Sequence, residues 1–172
     1  MIAKHFNNAQ SIVDSADVTL IIRDKKSGKL YQKISFGANY INEDVYKDCT
    51  KCRSYITGYH QKSEVLDYDY GDLIIADLNF DGREDIAIKN DSGGNGGPYY
   101  NFYLQGVNGQ FILSQYLTTN MQSFPAEINA GSKTLTIQIH ANVHQDQRNT
   151  FKYNSDNKKW RFIKHRLISY GE

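Results

Sequence analysis

A chain of 172 residues can bury a core of its own without disulfide or metal staples, and one domain is the natural expectation. Its 20 basic and 19 acidic residues give a net charge of +1, a balance that points to neither nucleic acid nor an anionic membrane surface. Thirteen tyrosines and 13 glycines beside only 2 prolines favour pleated structure, and no apolar run approaches the roughly 20 residues that span a bilayer.

Residues 1–16 are expected to form a flexible N-terminal segment. The first eight lack the apolar core of a secretory signal, which leaves either a cytoplasmic protein or a chain already trimmed. Residues 18–23 and 30–36 read as two strands around a turn at 24–29. Residues 39–70 are less regular, with a short helical turn expected near 43–47. Cys49 and Cys52 form the one cysteine pair, too few for a four-thiolate zinc site, and His60 would complete only three ligands. A local disulfide and two free thiols are both open, and an oxidised pair would suit an extracytoplasmic home. Through 65–70 a strand is expected, with Tyr68 and Tyr70 inward and Asp67 and Asp69 exposed.

Residues 77–85 read Asp-Leu-Asn-Phe-Asp-Gly-Arg-Glu-Asp, with oxygen-bearing side chains at alternate positions around a glycine. Such a loop wraps a hard cation, because calcium takes six to eight oxygen ligands. The expected ligands are Asp77, Asn79, Asp81, the backbone of Arg83, and Asp85, with Gly82 at the sharp turn. An EF-hand would need Glu at position 12, where Ile88 stands. The flanks, 73–76 and 86–88, are strand-like, so the loop joins two strands and 86–88 buries one face. The bland alternative is a turn whose side chains bond their own backbone. Three neighbouring carboxylates repel unless something neutralises them, which favours calcium.

A glycine-rich surface segment follows at 92–98. Residues 99–104 and 110–116 then flank Asn108-Gly109, a strong hairpin signal. Residues 134–141 alternate apolar and polar, 151–153 and 159–163 pair across a turn at 154–157, and 167–170 close the chain. Successive hairpins with little helix make an antiparallel all-β domain, as a sandwich, a barrel or a propeller-like array.

The segment from Ala76 to Ile86, then Gly93-Gly94-Asn95-Gly96-Gly97, Tyr99-Tyr100, Thr150-Phe151-Lys152-Tyr153 and Lys158-Lys159-Trp160, resembles a family of bacterial cell-envelope proteins. That family is typified by a Xanthomonas lipoprotein that inhibits a lysozyme-like effector of a type IV secretion system. The resemblance covers about half the chain. It implies a calcium-stabilised, β-propeller-like protein of the periplasm or cell surface that binds a peptidoglycan hydrolase. An inhibitor of such an enzyme must enter a groove run by carboxylates. Ser92, Asn95, Tyr99 and Tyr100 offer donors on a loop whose glycines permit close approach; an ordinary mobile loop is the equal alternative.

His140 and His144, with Asp146 and Arg148, suggest a cluster, but no third ligand completes a zinc site and solvated strand-end histidines are the simpler expectation. No Gly-x-Ser-x-Gly elbow or phosphate-binding glycine loop is present. Trp160 is expected in the core. Lys158, Lys159, Arg161, Lys164 and Arg166 make a solvated basic face or one that meets an acidic partner. The leading expectation is therefore a calcium-binding, non-enzymatic envelope protein that binds another protein as a lysozyme-type inhibitor or immunity factor. The alternative is a calcium-stabilised adhesion or carbohydrate-binding module.

Overall fold

The computed structural model describes residues 15–41, 48, 50–56, 59–61, 65 and 68–170, with 2–6, 55, 56, 59–61 and 95 described by their backbone alone. The expected helical turn at 43–47, Cys49 of the cysteine pair, and Asp67 lie outside the described residues. Strands make up 55% of the structure and helical turns 7%, so the chain is all-β.

The larger sheet contains β1 (Ile2–Phe6), β2 (Ser15–Arg23), β3 (Leu30–Asn39), β4 (Ser54–Ile56), β5 (Tyr59–Gln61), β6 (Leu73–Ala76), β7 (Asp85–Asp91), β8 (Tyr99–Gln105) and β9 (Phe111–Leu113). The smaller holds β10 (Glu127–Asn129), β11 (Thr134–Asn142), β12 (Gln145–Asn154) and β13 (Lys159–Ser169) in that order. The two form a sandwich-like arrangement and not a closed barrel.

The hairpins sit where alternation and turn residues place them. In β2, Val18 and Leu20 turn inward while Asp17 stays exposed, and β3 pairs antiparallel from Ser15↔Asn39 to Arg23↔Leu30. Asp24 fixes the turn, its Oδ1 accepting from the Ser27 backbone at 2.6 Å and the Ser27 hydroxyl at 2.7 Å. Two pairings are parallel, β3 with β7 and β4 with β6, so the sheet is mixed. Ile2–Phe6 pair with β2, which makes part of the segment expected to be flexible a strand.

Three expectations are corrected. β7 buries both faces, not one: Ile86 and Ile88 face Val18, Leu20, Ile34 and Tyr103, while Ala87 belongs to the main core. Among the described residues of 65–70 there is no strand; Tyr68 is left-handed at φ 62°, which breaks an extended run. Residues 114–116 are not strand either. β9 stops at Leu113, and a single π-helical turn, Leu117–Met121, buries Leu117 and Met121.

The main core lies between the sheets. Ile74, Leu78, Tyr100, Phe102 and the π turn meet Leu135, Ile137, Phe151 and Trp160 there, as expected for Trp160. Beside it runs a half-buried ion network. Lys89, on β7, bonds Asp69 at 2.8 Å and approaches Asp72 at 3.4 Å; Arg53 reaches the same two carboxylates at 2.9 and 3.2 Å. Asp69, expected to be exposed, is therefore enclosed by two cations. Burial opposes its ionisation, but hydrogen bonds from Lys89 and Arg53 hold it below its ordinary value.

Candidate functional site

The Asp-rich loop is closed at its base by the pair Ala76↔Asp85. Asp77 accepts the Asp81 N–H at 3.0 Å and the Gly82 N–H at 2.9 Å, which draws the chain round on itself. Asn79 Oδ1 shares the Asp81 N–H at 3.2 Å, so oxygens of Asp77 and Asn79 converge on one donor. Phe80 (φ 58°) and Gly82 (φ 82°) supply the left-handed steps that wind the loop.

Asp81 is engaged on both oxygens. Oδ1 accepts the Arg83 N–H at 3.0 Å, and Oδ2 takes the Asn79 amide at 2.9 Å together with the Arg83 guanidinium. Asp85 is fully buried. Its Oδ2 accepts Leu78 N–H at 2.9 Å and Asn79 N–H at 3.3 Å, and its Oδ1 accepts Gln105 N–H at 2.8 Å. Burial pushes the Asp85 carboxyl up to about 6, although those three backbone donors pull the other way. Asp85 is thus an inner brace that ties the loop to β8. Among the described residues no group of three or more His, Cys, Asp or Glu side chains is arranged to hold an ion. Arg83 thus pairs with Asp81, and Asp85 faces backbone donors.

The glycine-rich segment leaves β7 at Asp91, whose Oδ1 accepts the Gly93 N–H at 2.7 Å. Gly93 is left-handed at φ 70°, and a Cβ there would fall 1.6 Å from the Gly97 carbonyl oxygen. No other residue closes this loop. A 3-10 turn, Gly94–Gly96, follows, with Gly96 N–H on Gly93 O at 3.1 Å. Ser92 is exposed and Tyr99 half-buried, its hydroxyl against Gly96; of Asn95 only the backbone is described. Tyr100 is a correction. As the next residue of β8 it points to the opposite side, is fully buried, and donates its hydroxyl to the Gly71 carbonyl at 2.9 Å. It belongs to the core and not to a partner-facing surface.

The loop walls a cavity of about 680 Å³ whose other side is the end of β11 and Tyr170, just past β13. His140 lines it, and beneath His140 the His140–Asp146 pair named from the sequence is joined by Tyr68, Gln138 and Tyr170, which the sequence did not single out for it. Asp146, 1% exposed, accepts Gln138 Nε2 at 2.6 Å and the hydroxyls of Tyr68 and Tyr170, and stands 2.9 Å from His140 Nδ1. Burial would raise the Asp146 carboxyl, but the donors from Tyr170, Tyr68 and Gln138 outweigh it and hold it below its ordinary range. Tyr68 is pushed up to about 12, first by burial and then by donating to Asp146. His140 is therefore no loose strand-end histidine, whereas His144 is exposed in the turn. The usable signal was the hairpin itself: strands meeting at 142–145 place His140 opposite Asp146.

No family model matches the chain, and no curated protein matches it. Among solved structures, a Xanthomonas protein described as related to a type IV secretion system shares the fold. The likeness covers 97% of this chain and 82% of the other, with a TM-score of 0.53 and 13% identity. Among the described residues no helix is long and apolar enough to cross a membrane.

Proposed function

We propose that the protein is a calcium-binding, non-enzymatic protein of the bacterial envelope, periplasmic or on the cell surface, that docks another protein with residues 92–99. A lysozyme-like peptidoglycan hydrolase is the proposed partner, bound as by an inhibitor or immunity protein. The observation that carries this is the locked loop: Gly93 admits no side chain, and the segment it closes borders the cavity of His140 and Tyr170. A preformed loop loses little entropy on docking. Ser92 and Tyr99 offer donors to the paired carboxylates of a glycan hydrolase. The likeness to a secretion-system-related protein supports a setting in which such enzymes are met.

Calcium would be held by Asp77, Asn79, Asp81 and the Arg83 carbonyl, after the Arg83 guanidinium leaves Asp81, with Asp85 bracing the loop from below. Bound there, it would neutralise the carboxylates and stiffen the turn.

The test is inhibition of cell-wall hydrolases by the pure protein and by a variant with residues 92–99 replaced by a Gly/Ser stretch of equal length. Inhibition lost in the variant supports the assignment. Equal inhibition by both proteins removes the loop from the interface, and hydrolysis of peptidoglycan by the protein itself ends the non-enzymatic reading.

A further inference from the structure

A second concavity, of about 1030 Å³, lies between the Asp-rich loop, the β8–β9 hairpin and the β12–β13 turn. It shares no residue with the cavity under the glycine-rich loop. Its size is at the upper end of small-ligand sites. One wall is aromatic: Tyr153 and Trp160 have ring centroids 5.0 Å apart, and Phe80 lies 6.3 Å from Trp160. Asn79, Gln105 and Asn108 also line it, the Asn79 amide bonded to Asp81 and the Asn108 amide to Gln110.

Two further facts mark this groove. Trp160 is 9% exposed, yet its indole N–H is buried without a hydrogen-bond partner, an arrangement that native structures avoid. Six non-glycine residues among those described are left-handed, and three of them, Phe80, Lys133 and Lys158, line this one groove. Backbone strain of that kind collects at binding sites. The charge is one-sided. Lys133, Lys158, Lys159 and Arg83 face a single carboxylate, Asp81, and Arg83 already pairs it.

We propose that the groove binds a carboxylate-bearing oligosaccharide. Sugar rings lay their apolar faces on aromatic side chains, and the lysines meet the carboxylates through charge-assisted hydrogen bonds. An acidic peptide would satisfy the lysines but would leave the aromatic wall without the sugar faces it suits.

Trp160 is the one tryptophan in the sequence, so its emission, and the NMR signal of its indole N–H, report on the groove directly. Trigalacturonate, neutral chitotriose and hexaglutamate are titrated separately into the full chain, in chelator so that the outcome is independent of calcium. The expected result is a saturable change with trigalacturonate. Chitotriose should bind about tenfold more weakly, and the Lys158→Gln/Lys159→Gln variant should lose about tenfold in affinity for trigalacturonate. Absence of a saturable change in both signals overturns the proposal, as does unaltered binding by the variant. Hexaglutamate binding as tightly as trigalacturonate makes the groove a peptide site and ends the glycan assignment.

Discussion

Lys89 Nζ lies 2.8 Å from Asp69 Oδ1 in a place where the lysine side chain is 8% exposed and the aspartate 27%. β7 carries Lys89 on the same side as Ala87, toward the main core, so its charge is taken out of water and must be met there. Asp69 and Asp72 meet it, and Arg53 closes the network from the other side. Removing one partner from such a set leaves a buried charge uncompensated. Lys89→Met is expected to destabilise the fold by about 3 kcal/mol, measured as a lowered urea midpoint at pH 7. A midpoint equal to that of the parent would show that Arg53 alone neutralises both carboxylates.

The Asp146 cluster gives a pH dependence whose sign follows from its cause. Donors from Tyr170, Tyr68 and Gln138 outweigh burial and place the folded carboxyl below its unfolded value of 3.8. The contribution is therefore complete above that value and is lost as pH falls through the folded one. Asp146→Asn is expected to lose about 2 kcal/mol at pH 7, because charged acceptors make the stronger hydrogen bonds. Below pH 3.8 the two proteins should approach one another in urea unfolding. A gap that stays constant with pH would mean that the site acts by shape and not by charge.

What the sequence disclosed and withheld divides by range. Hairpins such as β2–β3 and β12–β13 were legible because alternation and turn residues are local signals. The strand–loop–strand at 73–88 was legible for the same reason, with oxygen-bearing residues at fixed spacing. The Tyr68–Gln138–Asp146–Tyr170 cluster was not, since it joins residues as far apart as 68 and 170 that carry no pattern until the fold assembles. Lys89 was illegible too: a lysine after Ile86-Ala87-Ile88 reads as the polar face of a half-buried strand until its aspartate partners are known. Tyr99 and Tyr100 both read as donors on the loop, and the pleat sends the two side chains to opposite sides.

That last division is testable by contrasting two changes close together in the chain. Tyr100→Phe strips the donor from the buried Gly71 carbonyl and should cost about 1–2 kcal/mol in thermal or urea unfolding, with loop geometry intact. Gly93→Ala forces a Cβ into the left-handed region and onto Gly97 O, so it should rearrange the loop itself. In a hydrolase-inhibition assay Gly93→Ala is expected to fail where Tyr100→Phe succeeds. The reverse order would return Tyr100 to the binding surface.

Calcium at residues 77–85 requires the ion to displace the Arg83 guanidinium from Asp81, and that competition shapes the last prediction. An ion that binds the native state alone adds about 2.7 kcal/mol at a hundredfold excess over its dissociation constant. For a chain of this size that is a melting shift of about 5–10 °C between calcium and chelator. Arg83→Gln removes the competing cation but keeps the backbone carbonyl, so it should bind calcium more tightly than the parent. Asp81→Ala should melt at the same temperature in calcium as in chelator. Magnesium should act more weakly, because it needs near-ideal octahedral geometry that a wound loop with carbonyl and carboxamide ligands does not supply. If calcium leaves the parent and Arg83→Gln unshifted, the Asp77–Gly82 hydrogen bonds are a self-satisfied turn, and the oxygen spacing in the sequence reflects turn chemistry alone.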